Sequence, residues 1–456
     1  MIKNPSKTTN NALNNKIGSA YEAISLFNKT AYTDLFMISN EILSKSPFNN
    51  KFFDHYLSGE EPSATGVWLV FYKIVLYYIK STAHFISYLA RFIEYLLSGY
   101  RPNLPASGEE LVVVDTVFFV EKIINDNNFS EMFMPGISDV LIREAKSYAY
   151  LPLFYSRAYG KKPFEILRTM KILMKKEVPV LCEFYLLNAS DLLLLTLFIA
   201  AYPFRLLRLS RRLKSGIFDQ RVLKYELLRT IDNVTFYSFS RYLQGRRVAK
   251  LPYRKIKVIS WYENKPIYKN FYKGLRINWD KVSIYGAQLF LYSKHYLTLI
   301  PDENEQVFGV VPDKIISNGS YYMPNRSKLN YALGPSLRYA KIFSTKLLRE
   351  NQRDILVLLP YPIDNGISVL NILSSLGVIK NNVNIKAHPG LDISKLPVKI
   401  PSNVKVRYED VYKLFETTKM IVGSSSGTLI EAASLGIPVI SVRTDKRFDY
   451  HNPLPE

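Results

Sequence analysis

At 456 residues the chain is too long for one ordinary domain and fits two α/β domains of roughly 200 residues each with extra segments. Hydrophobic residues at 48 % exclude a disordered or fibrous chain, and the single cysteine, Cys182, excludes a disulfide framework and a Cys-rich metal site and favours a reducing compartment. The excess of 60 Lys+Arg over 39 Asp+Glu, formally +21, points either to a solvated basic surface or to a polyanionic partner: nucleic acid, anionic lipid or a phosphorylated substrate.

The first residues, MIKNPSKTTNNALNNK, are polar with no apolar run behind them, so no secretory signal is expected. Residues 1–105 read as mainly helical, a helical N-terminal region with a membrane-surface segment. That segment is Trp68 to Tyr100, WLVFYKIVLYYIKSTAHFISYLARFIEYLLSGY, where Lys73, Lys80, His84 and Arg91 recur among aromatic and aliphatic residues. No uninterrupted apolar stretch in it reaches the ~20 residues of a spanning helix, so an in-plane amphipathic helix or helical hairpin is expected, the alternative being a buried core helix. A second segment, Leu192 to Phe204, is apolar but too short to span. It is followed by Arg205, Arg208, Arg211, Arg212 and Lys214, a cluster suited to an anionic leaflet. Nucleic acid is not expected as a partner, because zinc-finger spacing and an RNA-recognition signature are both missing.

From Glu110 the pattern changes to short β-branched or aromatic runs alternating with helical stretches, which implies βαβ units and a parallel sheet. The runs are ELVVVDTVFF, then a helix around Ile137 to Ala149; VPVLCEFYLL; VTFYSFS; KIKVISWY, then a helix from Pro266 to Arg276; and KVSIYGAQ. A first α/β domain is therefore expected over 106–325. A helix from about Lys328 to Arg349 is expected near the join, and a second α/β domain over 326–456. There the strands DILVLLPY, NVNIKAHP, NVKVRY, KMIVGSSS and IPVISV alternate with helices, one capped by Asp410 and one ended by Gly436.

Chemistry concentrates at the carboxyl ends of these strands, where open α/β sheets bind ligands. Ser424, Ser425, Ser426, Gly427 and Thr428 follow a strand and open a helix. Small residues there admit a phosphate to the backbone N–H groups, and the hydroxyls add donors. Glu431 closes a capping box with Thr428 or reaches the ribose of a nucleotide. In Lys386-Ala387-His388-Pro389-Gly390, Pro389 keeps His388 out of the helical region, so its imidazole projects at a strand end with Lys386 adding charge. Each element alone also reads as an ordinary cap or turn.

HPG followed by VGSSSGTLIEAASLGIPVIS resembles the C-terminal donor-binding domain of GT-B glycosyltransferases. More narrowly it resembles bacterial sialyltransferases, polysialyltransferases and Kdo transferases of capsule and lipopolysaccharide synthesis. The resemblance is firm over about residues 350 to 445, looser over Trp261 to Arg338 and faint before that. It implies two Rossmann-like domains facing a cleft, the first, 106–325, taking the acceptor and the second, 326–456, the nucleotide-sugar donor. It assigns His388 and Ser424 to Thr428 to the nucleotide and its phosphate, and Glu431 to the ribose side. Trp261-Tyr262-Glu263-Asn264-Lys265-Pro266 resembles W-x-E-N-x-P segments of surface-carbohydrate transferases. Glu263 is either the base that deprotonates an acceptor hydroxyl or a cap for the helix at Pro266. In Tyr285-Gly286-Ala287-Gln288, Gly286 admits close approach and Gln288 is a sugar-binding candidate. Arg338 faces a donor phosphate or makes a structural ion pair.

No P-loop, H-E-x-x-H or G-x-S-x-G pattern is present, and no convincing Asp-x-Asp. A bound metal and a separate cofactor are thus not expected, and a CMP- or UDP-linked sugar is the expected co-substrate. The expected activity is transfer of that sugar to a membrane-associated glycan or lipid-linked acceptor, by an enzyme peripheral to the inner face of a bacterial inner membrane. Three alternatives share the fold: a CDP-glycerol or CDP-ribitol phosphotransferase, a UDP-GlcNAc 2-epimerase-like enzyme, and a non-catalytic scaffold.

Overall fold

The computed structural model describes residues 6–442 apart from 47–50, 61, 63–64, 105–106, 157–162, 215, 294–295, 325–326, 362, 376–381, 389–390, 392, 394–395, 399 and 401–403. The chain divides into two compact units, residues 1–289 with 297–335, and residues 290–296 with 336–456.

The first unit opens with helices α1 (Ser6–Ala31), α2 (Phe52–Ser58) and α3 (Val67–Ser98). There follow β1 (Gly108–Phe119), α4 (Val120–Asp126), α5 (Ile137–Arg143), β2 (Tyr148–Tyr155), α6 (Glu165–Lys175), α7 (Glu183–Leu186), α8 (Ala189–Arg211), α9 (Phe218–Arg229) and α10 (Phe236–Ala249). It ends with β3 (Tyr253–Trp261), α11 (Pro266–Leu275), β4 (Val282–Ala287), α12 (Glu303–Val307), β5 (Lys314–Ser317) and β6 (Tyr331–Leu333). The six strands form one parallel sheet in the order β2-β1-β3-β4-β5-β6. Its central strands are apolar because both faces are covered.

Three sequence expectations fail, two in this unit and one where the chain passes into the second. Residues 178–187 form no strand; Val180 makes one parallel bridge to Tyr150 before α7 begins, and the strand in that place is β2. VTFYSFS lies in α10, where Phe236, Phe239 and Leu243 are buried at helical spacing and outweigh the β-propensity of aromatic residues. Residues 328–349 are not one helix. They hold β6, a 3₁₀ turn at Leu337–Tyr339 and α13 (Ala340–Ser344), divided by Gly334-Pro335.

Helices α10 and α11 touch backbone to backbone. A Cβ on Gly245 would lie 2.3 Å from the Phe271 carbonyl oxygen, and one on Gly274 would lie 2.1 Å from that of Tyr242. The N-terminal helices are tied to the same unit by buried charges. Lys269 on α11 donates to Glu305 on α12 at 2.6 Å and to the carbonyl of Leu43 at 2.6 Å, and Lys45 lies 3.4 Å from Glu305.

Helix α3 is a single helix, not a hairpin, and its polarity is the reverse of a surface helix. Lys73 and Lys80 both pair with Asp232 at 2.7 Å, Arg91 is buried, and Tyr77, Ser81, Tyr88 and Tyr95 are buried along the same face. The opposite face exposes Trp68 (84 % accessible), Phe71, Val75, Ile79, Ile86, Ile93 and Leu97 at three-, four- and seven-residue spacing. Helix α8 is the one described helix long and apolar enough to cross a membrane, longer than the apolar run suggested, and 39 % of its most apolar window is buried. Of its basic cluster, Arg205 is engaged by Asp34 at 3.0 Å, while Arg208, Arg211, Arg212 and Lys214 are exposed.

The second unit contains α13, β7 (Asp354–Leu359), α14 (Ile363–Ser375), β8 (Val383–Ala387), β9 (Val404–Val406), α15 (Val411–Phe415), β10 (Thr418–Gly423), α16 (Thr428–Ser434) and β11 (Val439–Ser441). All five strands are parallel in the order β11-β10-β7-β8-β9. Numbered from β7, the order is 3-2-1-4-5, five of the six strands of a Rossmann sheet, and it reverses between β7 and β10. The chain is thus α/β with two Rossmann-like parallel sheets and a helical N-terminal region.

Candidate functional site

In an open parallel sheet the loops on either side of the reversal part and leave a crevice at the carboxyl edge. In the second unit those loops follow β7 and β10. The latter is Ser424 to Gly427. Ser424 is buried against the strand end, and Ser425 takes a left-handed backbone, φ +50°. That conformation is uncommon for a residue with a Cβ and turns the chain sharply into α16. Asn365, in the first turn of α14 after β7, spans the reversal and donates to Ser425 Oγ at 2.7 Å. Ser424 Oγ lies 3.2 Å from Ser425 Oγ, and the Thr428 N–H donates to Ser426 Oγ. Gly427 sits beside Leu291, where an added Cβ would make ordinary 3.5 Å contact, so the glycine is not sterically required.

His388 follows β8, the neighbour of β7 on the other side. Its N–H donates to the Leu359 carbonyl at 2.8 Å, its side chain is exposed, and its ring meets that of Tyr361 with centroids 5.5 Å apart. Pro389 and Gly390 lie outside the described residues. The His388 and Ser424–Thr428 elements therefore share one edge of one sheet, flanking the end of β7.

Glu431 and Arg338 join them. Glu431, one turn into α16, accepts from Tyr412 Oη at 2.5 Å. Burial raises its pKa, while Tyr412, Arg338 and Thr428 pull it down. The expected capping box does not form: Gly427 is the N-cap residue and makes no side-chain cap. Arg338 acts on Glu431 through space and lies over the Tyr339 ring at 5.7 Å. Lys386 is turned away from the projected role, since its Nζ donates to the Glu409 carbonyl at 2.5 Å and burial lowers its pKa. Asn365 was not among the sequence candidates; an asparagine two residues into a helix carries no local signal.

The first-unit candidates have structural partners. Glu263 accepts from Trp261 Nε1 at 3.0 Å and is ion-paired with Lys265; it makes no cap, since Lys265 is the N-cap residue without a side-chain bond. Gln288 is buried and donates to the Leu299 carbonyl at 2.7 Å, which takes it out of reach of a sugar. Gly286 is filled by protein: a Cβ there would meet Pro312 at 2.6 Å and Tyr262 at 3.0 Å.

Neither family models nor curated proteins match the sequence. Among solved structures, MurG of Acinetobacter baumannii is similar at 12 % identity and TM-score 0.35, covering 75 % of this chain and 81 % of its own. The calicheamicin glycosyltransferase CalG4 is similar at 11 % and 0.36, covering 73 % and 80 %, and a UDP-N-acetylglucosamine 2-epimerase at 10 % and 0.37, covering 74 % and 80 %. Likeness of this degree carries neither an activity nor a substrate to this chain.

Proposed function

We propose that the protein is a nucleotide-sugar-dependent glycosyltransferase whose second unit holds the donor. The observation that carries this reading is the Ser424–Thr428 turn joined to Asn365 across the reversal point of one parallel sheet, with His388 at the next strand end and Arg338 acting on Glu431 one turn into α16. Hydroxyls, an exposed imidazole and a guanidinium suit a phosphate, and the half-buried Glu431 carboxyl suits ribose hydroxyls. In this reading neither Lys386 nor a metal contributes. The sequence resemblance to donor domains of surface-carbohydrate transferases supports a CMP- or UDP-linked sugar for capsule or lipopolysaccharide. Calorimetry of the full chain against CMP, UDP, GDP and CDP tests the reading. Saturable binding of one or two of these is expected, and absence of binding by all four overturns it in favour of a non-catalytic scaffold.

The acceptor in this reading is a membrane-bound glycan or lipid-linked sugar, reached from a bilayer surface on the inner face of the bacterial membrane. The support is the outward apolar stripe of α3 together with the exposed Phe204 and the Arg208–Lys214 cluster at the end of α8.

A further inference from the structure

Connections between strands and helices usually run over the surface of their own unit. The one from β4 to α12 does not. It leaves the first unit after Leu289, spends Phe290–Tyr296 in the second, and returns to the first at Leu297. Both feet of this excursion are fixed. Gln288 is 1 % exposed, and its side-chain amide donates to the Leu299 carbonyl at 2.7 Å while its N–H donates to the Ile316 carbonyl at 2.9 Å. One residue thus clips the outgoing chain to the returning chain and to β5. Leu289 on one foot and Leu297, Thr298 and Leu299 on the other are buried.

The tip of the excursion is fixed on the serine turn. Within the second unit Leu291 packs against Gly427, the N-cap residue of α16: a Cβ on Gly427 would lie 3.5 Å from the Leu291 Cβ and 3.7 Å from its carbonyl oxygen. The Leu291 N–H donates to Tyr339 Oη at 3.1 Å. A backbone donor needs a partner, and here a side chain supplies it in place of a strand. Tyr339 is buried in the company of Arg338 and Glu431: burial pushes its phenol up to about 12, with Arg338 pulling down and Glu431 adding to the push. The hydroxyl is therefore neutral near pH 7 and keeps a lone pair with which to accept.

We infer that residues 288–291 are a tether that positions the serine turn, with Gln288 fixing its base and Tyr339 its tip. Both are positioning residues, each acting through Leu291 on Gly427. One consequence rests on the donor reading: a nucleotide held by the turn also stiffens Leu291. The tether itself does not rest on it. Hydrogen-exchange mass spectrometry of the full-length protein follows segments 289–293 and 427–431, where the Leu291, Leu429, Ile430 and Glu431 amides are hydrogen-bonded, with β3 and β7 as references. In wild type, through a urea series below the unfolding transition, the two segments are expected to open together with one urea dependence. Gln288→Met keeps the shape and removes the amide donor, and Tyr339→Phe removes the acceptor. Each is expected to speed exchange of both segments roughly two- to tenfold, the worth of one hydrogen bond, with β3 and β7 unchanged. Wild-type rates at 427–431 in either variant, or equal acceleration of β3 and β7, overturns the tether. The urea series needs no variant, so segments that open independently overturn it even if a variant misfolds. CMP and UDP are then added to the wild type. Binding that slows 427–431 and leaves 289–293 untouched keeps the donor reading and overturns the tether. Segments coupled as described in a protein that binds neither nucleotide leave the tether standing and remove the donor reading.

Discussion

Asn264 donates its side-chain amide to Glu305 across 3.0 Å from a backbone held at φ +52°. The pairing explains most of the Trp-Tyr-Glu-Asn-Lys-Pro segment. Asparagine tolerates the left-handed conformation, Pro266 starts α11, and Tyr262 packs over Gly286. The segment that reads as a catalytic motif mainly fastens β3, α11, α12 and the N-terminal helices together.

Glu305 is the centre of that fastening, with Lys269, Lys45, Tyr32 and Asn264 all directed at it. Glu305→Ala leaves the buried Lys269 ammonium without its counter-charge and Lys45 with only the more distant Asp302, 3.9 Å away, so a loss of about 3–5 kcal/mol is expected. Urea unfolding of the purified variant measures it. A midpoint unchanged from wild type would show the cluster to be energetically idle.

The same carboxylate gives a pH signature. The neighbouring ammonium groups outweigh burial and hold Glu305 at about 2, below its ordinary 4.5. A depressed carboxyl stabilises the fold above the unfolded value and loses that contribution as pH falls toward the folded one. The stability gap between wild type and Glu305→Gln is therefore expected to shrink from about pH 4.5 downward. Urea midpoints of the two proteins at several pH values check this; a gap that widens in acid contradicts the assignment.

Gly245→Ala tests the crossing of α10 and α11. The new methyl would meet backbone, which moves only with the whole helix, so destabilisation of about 1–3 kcal/mol or more is expected despite alanine's better helix propensity. Thermal melting that shows a gain in stability would mean the helices sit farther apart.

How much of this was legible depended on whether the information was local. The second sheet was, because each strand is a short apolar run ended by a turn residue, and Asp410 and Gly436 mark their helix ends as expected. In the first unit, aromatic residues filled helix, strand and interface alike. Propensity alone puts Phe236–Phe239 in a strand, and nothing local separates the aromatic run of β2 from the run at 178–187. The inward turn of Lys73 and Lys80 depends on Asp232, far along the chain. A cavity of about 400 Å³ lined by Val117, Leu153, Glu183, Arg241 and Ile267 is assembled from β1, β2, α7, α10 and α11, so no single segment carries a motif for it.

The orientation of α3 changes what membrane binding should look like. With Lys73 and Lys80 committed to Asp232, the proposed attachment rests on the apolar stripe, and the Arg208–Lys214 cluster adds charge. Replacing Trp68, Phe71 and Ile79 by serine is expected to reduce co-sedimentation with vesicles of phosphatidylcholine and phosphatidylglycerol by more than roughly tenfold. Raising salt should weaken it only modestly. Stability should stay within about 0.5 kcal/mol because the three side chains are exposed. Full retention of binding by the triple variant would place the membrane contact elsewhere.

The proposed donor site gives the sharpest test, because its residues can be changed without disturbing a core. Ser425 occupies a left-handed position that aspartate also tolerates, and its oxygen accepts from Asn365, a role a carboxylate can keep. Ser425→Asp should therefore fold. It would set a negative charge beside the nucleotide phosphate in a partly desolvated crevice, where like charges repel strongly, and nucleotide affinity should fall by more than a hundredfold, roughly. His388→Ala removes an exposed side chain that would donate to a charged oxygen, a loss of about 1.5–3 kcal/mol or roughly ten- to hundredfold in affinity. Lys386→Ala should matter far less, since its ammonium group is spent on the Glu409 carbonyl. Calorimetry with CMP and UDP measures all three, and circular dichroism confirms the fold. The order of damage is the discriminating feature: Ser425→Asp worst, His388→Ala intermediate, Lys386→Ala least. A well-folded Ser425→Asp protein with wild-type affinity would mean that nucleotide binds elsewhere and that the serine turn only starts a helix.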